Sequence, residues 1–453
     1  MTGSPQREIA VLPVDPVRAC VYAEGWQSWS VTGLVPAATE PYRVTAANSL
    51  AIDCQYRLAA PPGVHQGSGL LAVDPGDGGP VLVVGARSAT SVVPLVRAAL
   101  HGDRLVITAD QPLDCLADPG PGGIAGALAR WGTRFAAASA GVVPGALRPL
   151  PTVWCSWYQY YGDVSADAIV ANLAAMDERD VPVDVVQIDD GYASAPGDWL
   201  DHSSRFPDLP ALVGRIRDSG RRAGIWIAPL LVGHQSDLYR AHPDWVVTHD
   251  GSSEPVWAGD VCRQHCAALD ISHPDAADHL SQVLATMRGW GIDYFKVDFM
   301  YAGGYEGRRH QHLTGVEAYR QALDLIRQAI GPEPVLLACG APILPSVGLV
   351  DAMRVGPDIA ARYEPSDGNP SMPSQRNATR NTVARAWQHG RFWVNDPDCL
   401  IARPGVERRE DWADVVDKFG GLRASSDAIA LLDDWGLETT RRVLVPSPVR
   451  PFL

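Results

Sequence analysis

The sequence predicts an α/β protein, a (β/α)8 TIM-type barrel preceded by an N-terminal β-sandwich domain. Three observations carry that expectation. From Thr152 onward, eight short apolar runs alternate with amphipathic segments, which is the rhythm of β/α units around a parallel sheet. Before that point, short runs rich in Val, Leu, Ile and Thr are separated by Gly/Pro/Asp turns. The length, 453 residues, exceeds one small domain and suits a large barrel with an added module.

The first expected domain covers 1–145. Val81-Leu82-Val83-Val84 and Leu105-Val106-Ile107-Thr108 read as strands, with Asp74-Pro75-Gly76 and Asp118-Pro119-Gly120 among the breaks. A helix is expected over 124–138, followed by a Pro/Gly-rich linker running from Val143-Pro144-Gly145 to Pro149-Leu150-Pro151. The barrel covers 146–453. Its strands are expected at 152–157, 184–188, 223–228, 294–299, 335–339, 352–355, 392–394 and 428–432. Leu209, Leu212, Val213 and Ile216 recur at helical spacing until Gly220 ends the run. Thr314 and Glu317 fit a capping box before an apolar stripe at Ala318, Ala322, Leu325 and Ile326, and Gly331-Pro332 closes that helix. A last helix is expected over 437–445.

Composition narrows the function. A net charge of −14 argues against nucleic acid, whose phosphates need a basic face, and against an anionic membrane surface. No apolar run approaches the roughly 20 residues that span a bilayer. The opening Met1-Thr2-Gly3-Ser4-Pro5 has no signal-peptide pattern, so a cytoplasmic location with reduced cysteines is expected. A small neutral or cationic substrate fits best.

Barrel active sites lie at the C-terminal ends of the strands, so the polar residues there are the candidates. In Tyr294-Phe295-Lys296-Val297-Asp298, alternation puts Tyr294, Lys296 and Asp298 on one face. A lysine beside a carboxylate lowers its pKa and keeps it ionised, as a nucleophile requires; a structural ion pair would look the same. Arg354-Val355-Gly356-Pro357-Asp358 sets an Arg and an Asp at another strand end, where the Asp is either functional or a turn residue. Asp189 and Asp190, followed by Gly191, suit hydrogen bonds to neighbouring hydroxyls or an ordinary Asp-Gly turn. The chain holds 14 Trp and 7 Phe. Trp154, Trp157, Trp226 and Trp393 fall on strand candidates and offer flat faces to a sugar ring or to the core. Asn395-Asp396-Pro397-Asp398-Cys399 either positions substrate or simply builds the loop, and the loop is the favoured reading. Cys262, His265 and Cys266 have no second ligand pair at zinc spacing, so no metal is expected. With no phosphate loop and no nucleophile elbow, no cofactor is expected.

Assembled, these segments resemble glycoside hydrolase family 36, the α-galactosidases. Tyr294–Phe299 resembles the nucleophile strand, Arg354–Asp358 the acid/base strand, Gln187–Tyr192 the strand whose carboxylates hold galactose hydroxyls, and Gly224–Pro229 the third strand with its Trp. Cys339-Gly340-Ala341-Pro342 is similar to another strand end, and Gly25-Trp26-Gln27-Ser28-Trp29-Ser30 to an N-terminal segment that reaches the pocket in some members. The resemblance implies a retaining mechanism, with Asp298 as nucleophile and Asp358 as acid/base. It also implies that Asp189, Asp190, Lys296, Arg354, Trp226, Trp157, Cys339, Trp26 and Trp29 bind a small-molecule glycoside or oligosaccharide. Family members usually carry a C-terminal β-domain that this chain does not show, which leaves the leaving group open. An α-N-acetylgalactosaminide or a β-L-arabinopyranoside shares most of the ring geometry. Two other readings stand beside this one: Lys296 as a Schiff-base lysine of an aldolase, and a non-catalytic sugar-binding barrel.

Overall fold

The computed structural model describes residues 5–42, 60–140, 147–446 and 448–452. The domain boundary expected at 145/146 and the start of the linker lie outside the described residues. In chain order the first nine strands are β1 (Arg7–Pro13), β2 (Cys20–Ala23), β3 (Gly33–Pro36), β4 (Val64–Ser68), β5 (Leu70–Asp74), β6 (Val81–Gly85), β7 (Leu95–His101), β8 (Arg104–Ala109) and β9 (Asp114–Asp118). They form two antiparallel sheets, ordered β1-β8-β7-β4 and β3-β2-β5-β6-β9. Val21, Val73 and Val84 of one sheet join Val96, Leu105 and Ile107 of the other in a single buried cluster. The helix expected at 124–138 spans Gly123–Ala140.

The following strands are β10 (Val153–Cys155), β11 (Val185–Ile188), β12 (Arg222–Ile227), β13 (Leu231–Gly233), β14 (Trp257–Val261), β15 (Gln264–Ala268), β16 (Ile292–Val297), β17 (Val335–Ala338), β18 (Ala352–Arg354), β19 (Val394–Asp396) and β20 (Ala424–Ser425). Eight of them form one sheet, ordered β19-β18-β17-β16-β12-β11-β10-β20, and every pairing in it is parallel. β11 and β17 are buried at each position, as strands covered on both faces must be. Just past β19, Leu400 bridges Ser425 of β20 in parallel, so chain from the two outer ends of the sheet is hydrogen-bonded together. The arrangement is that of a TIM-like domain. β13, β14 and β15 make a small antiparallel sheet of their own.

Three strands differ from expectation. β10 stops at Cys155, and Trp157 opens a short helix, Trp157–Tyr160; an aromatic run does not distinguish the two by pattern alone. β19 begins at Val394, so Trp393 precedes it. The eighth strand is β20, and the apolar run at 428–432 instead contains a 3₁₀ turn, Ile429–Leu431. The helices follow their caps. Thr314 and Glu317 form the expected capping box at the start of Gly315–Ile330. The last helix, Asp434–Val443, begins before the expected 437 because the Asp433 side chain accepts from Gly436 N. No described helix is long and apolar enough to cross a membrane.

One buried ion pair ties the N-terminal segment to the parallel sheet. Arg385 Nε donates to Glu24 Oε1 at 2.8 Å. Its Nη1 donates to Ser28 O and Val355 O, and its Nη2 to Gln27 O and Thr32 Oγ1. All five guanidinium donors are used. Glu24 Oε2 accepts from Gln388 Nε2 and Tyr22 OH. Both side chains are fully buried. Removing one partner of such a pair strands the other charge in a dry interior, at a cost of about 3–5 kcal/mol. Arg385→Ala is therefore expected to lose about that much stability in urea unfolding, and an unchanged midpoint would show that the pair holds nothing.

Candidate active site

Asp298 follows β16, and its N–H donates to Ile227 O at 2.8 Å, carrying the ladder with β12 one rung further. Its Oδ2 accepts from Trp226 Nε1 at 3.0 Å and its Oδ1 from Phe299 N at 2.7 Å. Trp226 stands opposite Lys296 in the register of β12 and β16. The sequence pointed to Lys296 as the partner of Asp298, and here the structure differs. Lys296 Nζ is ion-paired with Asp189 Oδ2 at 3.0 Å, with both side chains buried. Burial pushes the Asp298 carboxyl above its ordinary value. Lys296 pulls it down, Asp358 pushes it up, and the Trp226 and Phe299 N–H groups lower it again; the net shift is upward. The lysine thus opposes desolvation without overcoming it.

Asp189 is held on every side. Its Oδ2 also accepts from Gln187 Nε2 at 2.7 Å and from Cys155 Sγ at 3.3 Å, and its Oδ1 accepts from Asp190 N at 2.9 Å. Burial lowers the Lys296 pKa, but Asp189 and its other anionic neighbours outweigh that and leave it well above the ordinary lysine value. Burial raises the Asp190 carboxyl, the Cys262 thiol bonded to it lowers it, and Asp189 raises it, for a net rise.

Arg354 ends β18 and places Nη2 2.7 Å from Asp358 Oδ1. Asp358 is 31% exposed, whereas Arg354 is buried. The same nitrogen reaches Tyr158 OH at 2.8 Å and Asp398 Oδ2. The loop favoured for 395–399 is not what the structure has. Asp396 instead ends β19, and Asp398 is buried against Arg354 and Tyr158. Two acids at a strand end were the available signal, as with Asp189 and Asp190.

These groups surround a cavity of about 550 Å³, a size that suits a small ligand. Asp189, Asp190, Asp298, Asp358 and Lys296 line it, with Trp29, Trp157 and Trp226 as apolar faces. Trp29 packs edge-on to Phe299, with centroids 5.3 Å apart, and Trp157 does the same to Tyr161. Three other expected binding residues do not line the cavity. Arg354 lies behind Asp358. Cys339 is buried with Sγ 3.9 Å from Arg354 Nη1. Trp26 is buried against Gly304.

The cavity also takes in Trp199, Arg205 and Arg263, which the sequence did not single out, and Cys262, which it weighed only as a metal ligand. Cys262 and Arg263 are the turn between β14 and β15, with φ of 50° and 63°. A two-residue hairpin turn with positive φ at both positions ordinarily uses Asn or Gly, so nothing in the sequence marked it.

A family model described as melibiase matches residues 145–327. TtGalA, an α-galactosidase from Thermus thermophilus solved with p-nitrophenyl α-D-galactopyranoside, is 30% identical over 98% of this chain and 90% of that one, with a TM-score of 0.78. AgaA of Geobacillus stearothermophilus, a GH36 α-galactosidase, shares the fold at 16% identity over 96% of this chain and 61% of that one, TM-score 0.64. The bifunctional α-galactosidase/sucrose kinase AgaSK of Mediterraneibacter gnavus is 30% identical over 188 residues, 38% of this chain but 19% of that protein. The chain therefore spans a minor part of that curated relative's length.

The Lys296–Asp189 pair predicts strong coupling. Lys296→Met alone leaves a buried carboxylate unpaired, and Asp189→Asn alone leaves a buried ammonium. A double-mutant cycle read by thermal or urea unfolding is expected to give a coupling energy of at least about 1 kcal/mol, the double variant being more stable than the sum of the singles implies. Additive losses would contradict the pairing.

Proposed function

Because the chain belongs to glycoside hydrolase family 36, we propose that it is a retaining glycoside hydrolase that cleaves terminal α-D-galactosyl residues from small glycosides and oligosaccharides. The observation that supports this most is the convergence of Asp298 and Asp358 on one cavity that also holds Asp189, Asp190, Lys296 and three Trp faces. In this reading the parallel sheet is a closed (β/α)8 barrel over 146–453, and the two antiparallel sheets are a β-sandwich within 1–145.

The proposed reaction has two displacements. Asp298 Oδ forms a bond to the anomeric carbon as the bond to the leaving oxygen breaks, and Asp358 gives its proton to that oxygen. Asp358, now a carboxylate, takes a proton from water. The water oxygen bonds to the anomeric carbon, the bond to Asp298 breaks, and galactose leaves with its original configuration. Asp189 and Asp190 accept from ring hydroxyls, and Lys296 donates to them. Trp226, Trp29 and Trp157 cover apolar C–H faces. Arg354 and Cys339 act from the wall beside Asp358, and Trp26 anchors the segment that carries Trp29. The aldolase alternative needs a neutral amine, and the ion pair with Asp189 favours the ammonium of Lys296.

The test is nitrophenol release from 4-nitrophenyl α-D-galactopyranoside. The wild type is expected to turn over, and Asp298→Asn to fall to background while still binding galactose. Wild-type protein inert on this compound and on its N-acetylgalactosaminide and arabinopyranoside analogues would overturn the proposal.

A further inference from the structure

We infer that Asp398 is a positioning residue for the acid/base Asp358, acting through Arg354 and steadied by Tyr158. The inference rests on the role proposed above for Asp358. Asp398 sits just past β19 with φ of 101°, in the left-handed region that side-chain-bearing residues rarely occupy. Its carboxylate is bonded at both oxygens. Oδ1 accepts from Cys399 N at 2.7 Å. Oδ2 accepts from Ile359 N at 2.8 Å, from Arg354 Nη2 and from Tyr158 OH. Two of these bonds bear on Asp358. Ile359 is its neighbour in the chain, and Arg354 Nη2 is the nitrogen that holds Asp358 Oδ1. Asp398 and Arg354 are buried, and Asp358 alone of the three opens partly to the cavity.

The charge arrangement fits a group that must both give and take a proton. One guanidinium lies between two carboxylates. Arg354 acting alone would favour the carboxylate, a form that has no proton to give. The negative charge of Asp398 draws on the same guanidinium nitrogen, so Arg354 is shared between the two carboxylates. Asp398→Asn keeps the shape and an acceptor for Ile359 N but removes the charge. Arg354 then acts undivided on Asp358, and proton donation to the leaving oxygen suffers.

A merely structural role would not distinguish leaving groups, and this provides the test. We would compare kcat/KM for melibiose, whose sugar leaving group needs a proton, with that for 2,4-dinitrophenyl α-D-galactopyranoside, whose leaving group does not. Asp398→Asn is expected to lose at least about tenfold more on melibiose than on the dinitrophenyl compound. Tyr158→Phe is expected to shift the ratio in the same sense by less. The ratio does not depend on how much of the protein is folded. Should Asp398→Asn fail to fold, Tyr158→Phe carries the test by itself. An equal loss on both substrates overturns the inference and leaves the family reading intact. A wild type inert on both overturns the reading beneath it and the inference with it.

Discussion

Negative charge gathered in one cavity is the constraint around which this structure is organised. Asp189, Asp190, Asp298 and Asp358 face one space, with Asp396 and Asp398 buried behind it. Carboxylates that close repel one another and resist desolvation. Two buried cations answer them: Lys296 is committed to Asp189, and Arg354 is divided between Asp358 and Asp398. The division separates the chemistry. Asp298 is left to the indole of Trp226 and a backbone amide, in reach of a substrate but without a direct cation. Asp358 has a cation whose charge is shared. Environments that differ in this way allow one carboxyl to act as nucleophile and another as acid.

The same logic reaches outward through backbone. Arg385 uses every donor it has to hold Glu24, Gln27, Ser28 and Thr32 against Val355. Val355 follows Arg354 in the chain, so the anchor of the N-terminal segment and the cation beside Asp358 are neighbours. Trp29, carried on that segment, then closes one side of the cavity over Phe299. A residue far away in sequence becomes part of the site because its segment satisfies the hydrogen bonds of a buried guanidinium.

The parts of this arrangement that rest on periodicity were legible in the sequence. Lys296 and Asp298 share a face because strands alternate, and Arg354 and Asp358 flank a Gly-Pro exit from another strand. What was not legible depends on partners distant in the chain. That Lys296 would choose Asp189 over Asp298 follows from the register of neighbouring strands. The turn at Cys262 and Arg263 adopts positive φ without Gly or Asn. β20 has two residues, too few for a pattern, and the apolar run after it drew the prediction. The Trp residues show the limit of composition: Trp29, Trp157, Trp199 and Trp226 line the cavity, while Trp154, Trp387, Trp393 and Trp412 fill the core. Trp26, three residues before Trp29, went to the core side.

The most direct test of the account is to trap the covalent intermediate. Incubation with 5-fluoro-α-D-galactosyl fluoride slows release of the sugar once it is bound to the enzyme. Intact-mass and peptide mapping are then expected to show one fluorogalactosyl group, attached to the peptide that contains Asp298. An adduct on a different carboxylate, or turnover of the reagent with no adduct and inverted product, would contradict the assignment of Asp298 as the nucleophile of a retaining enzyme.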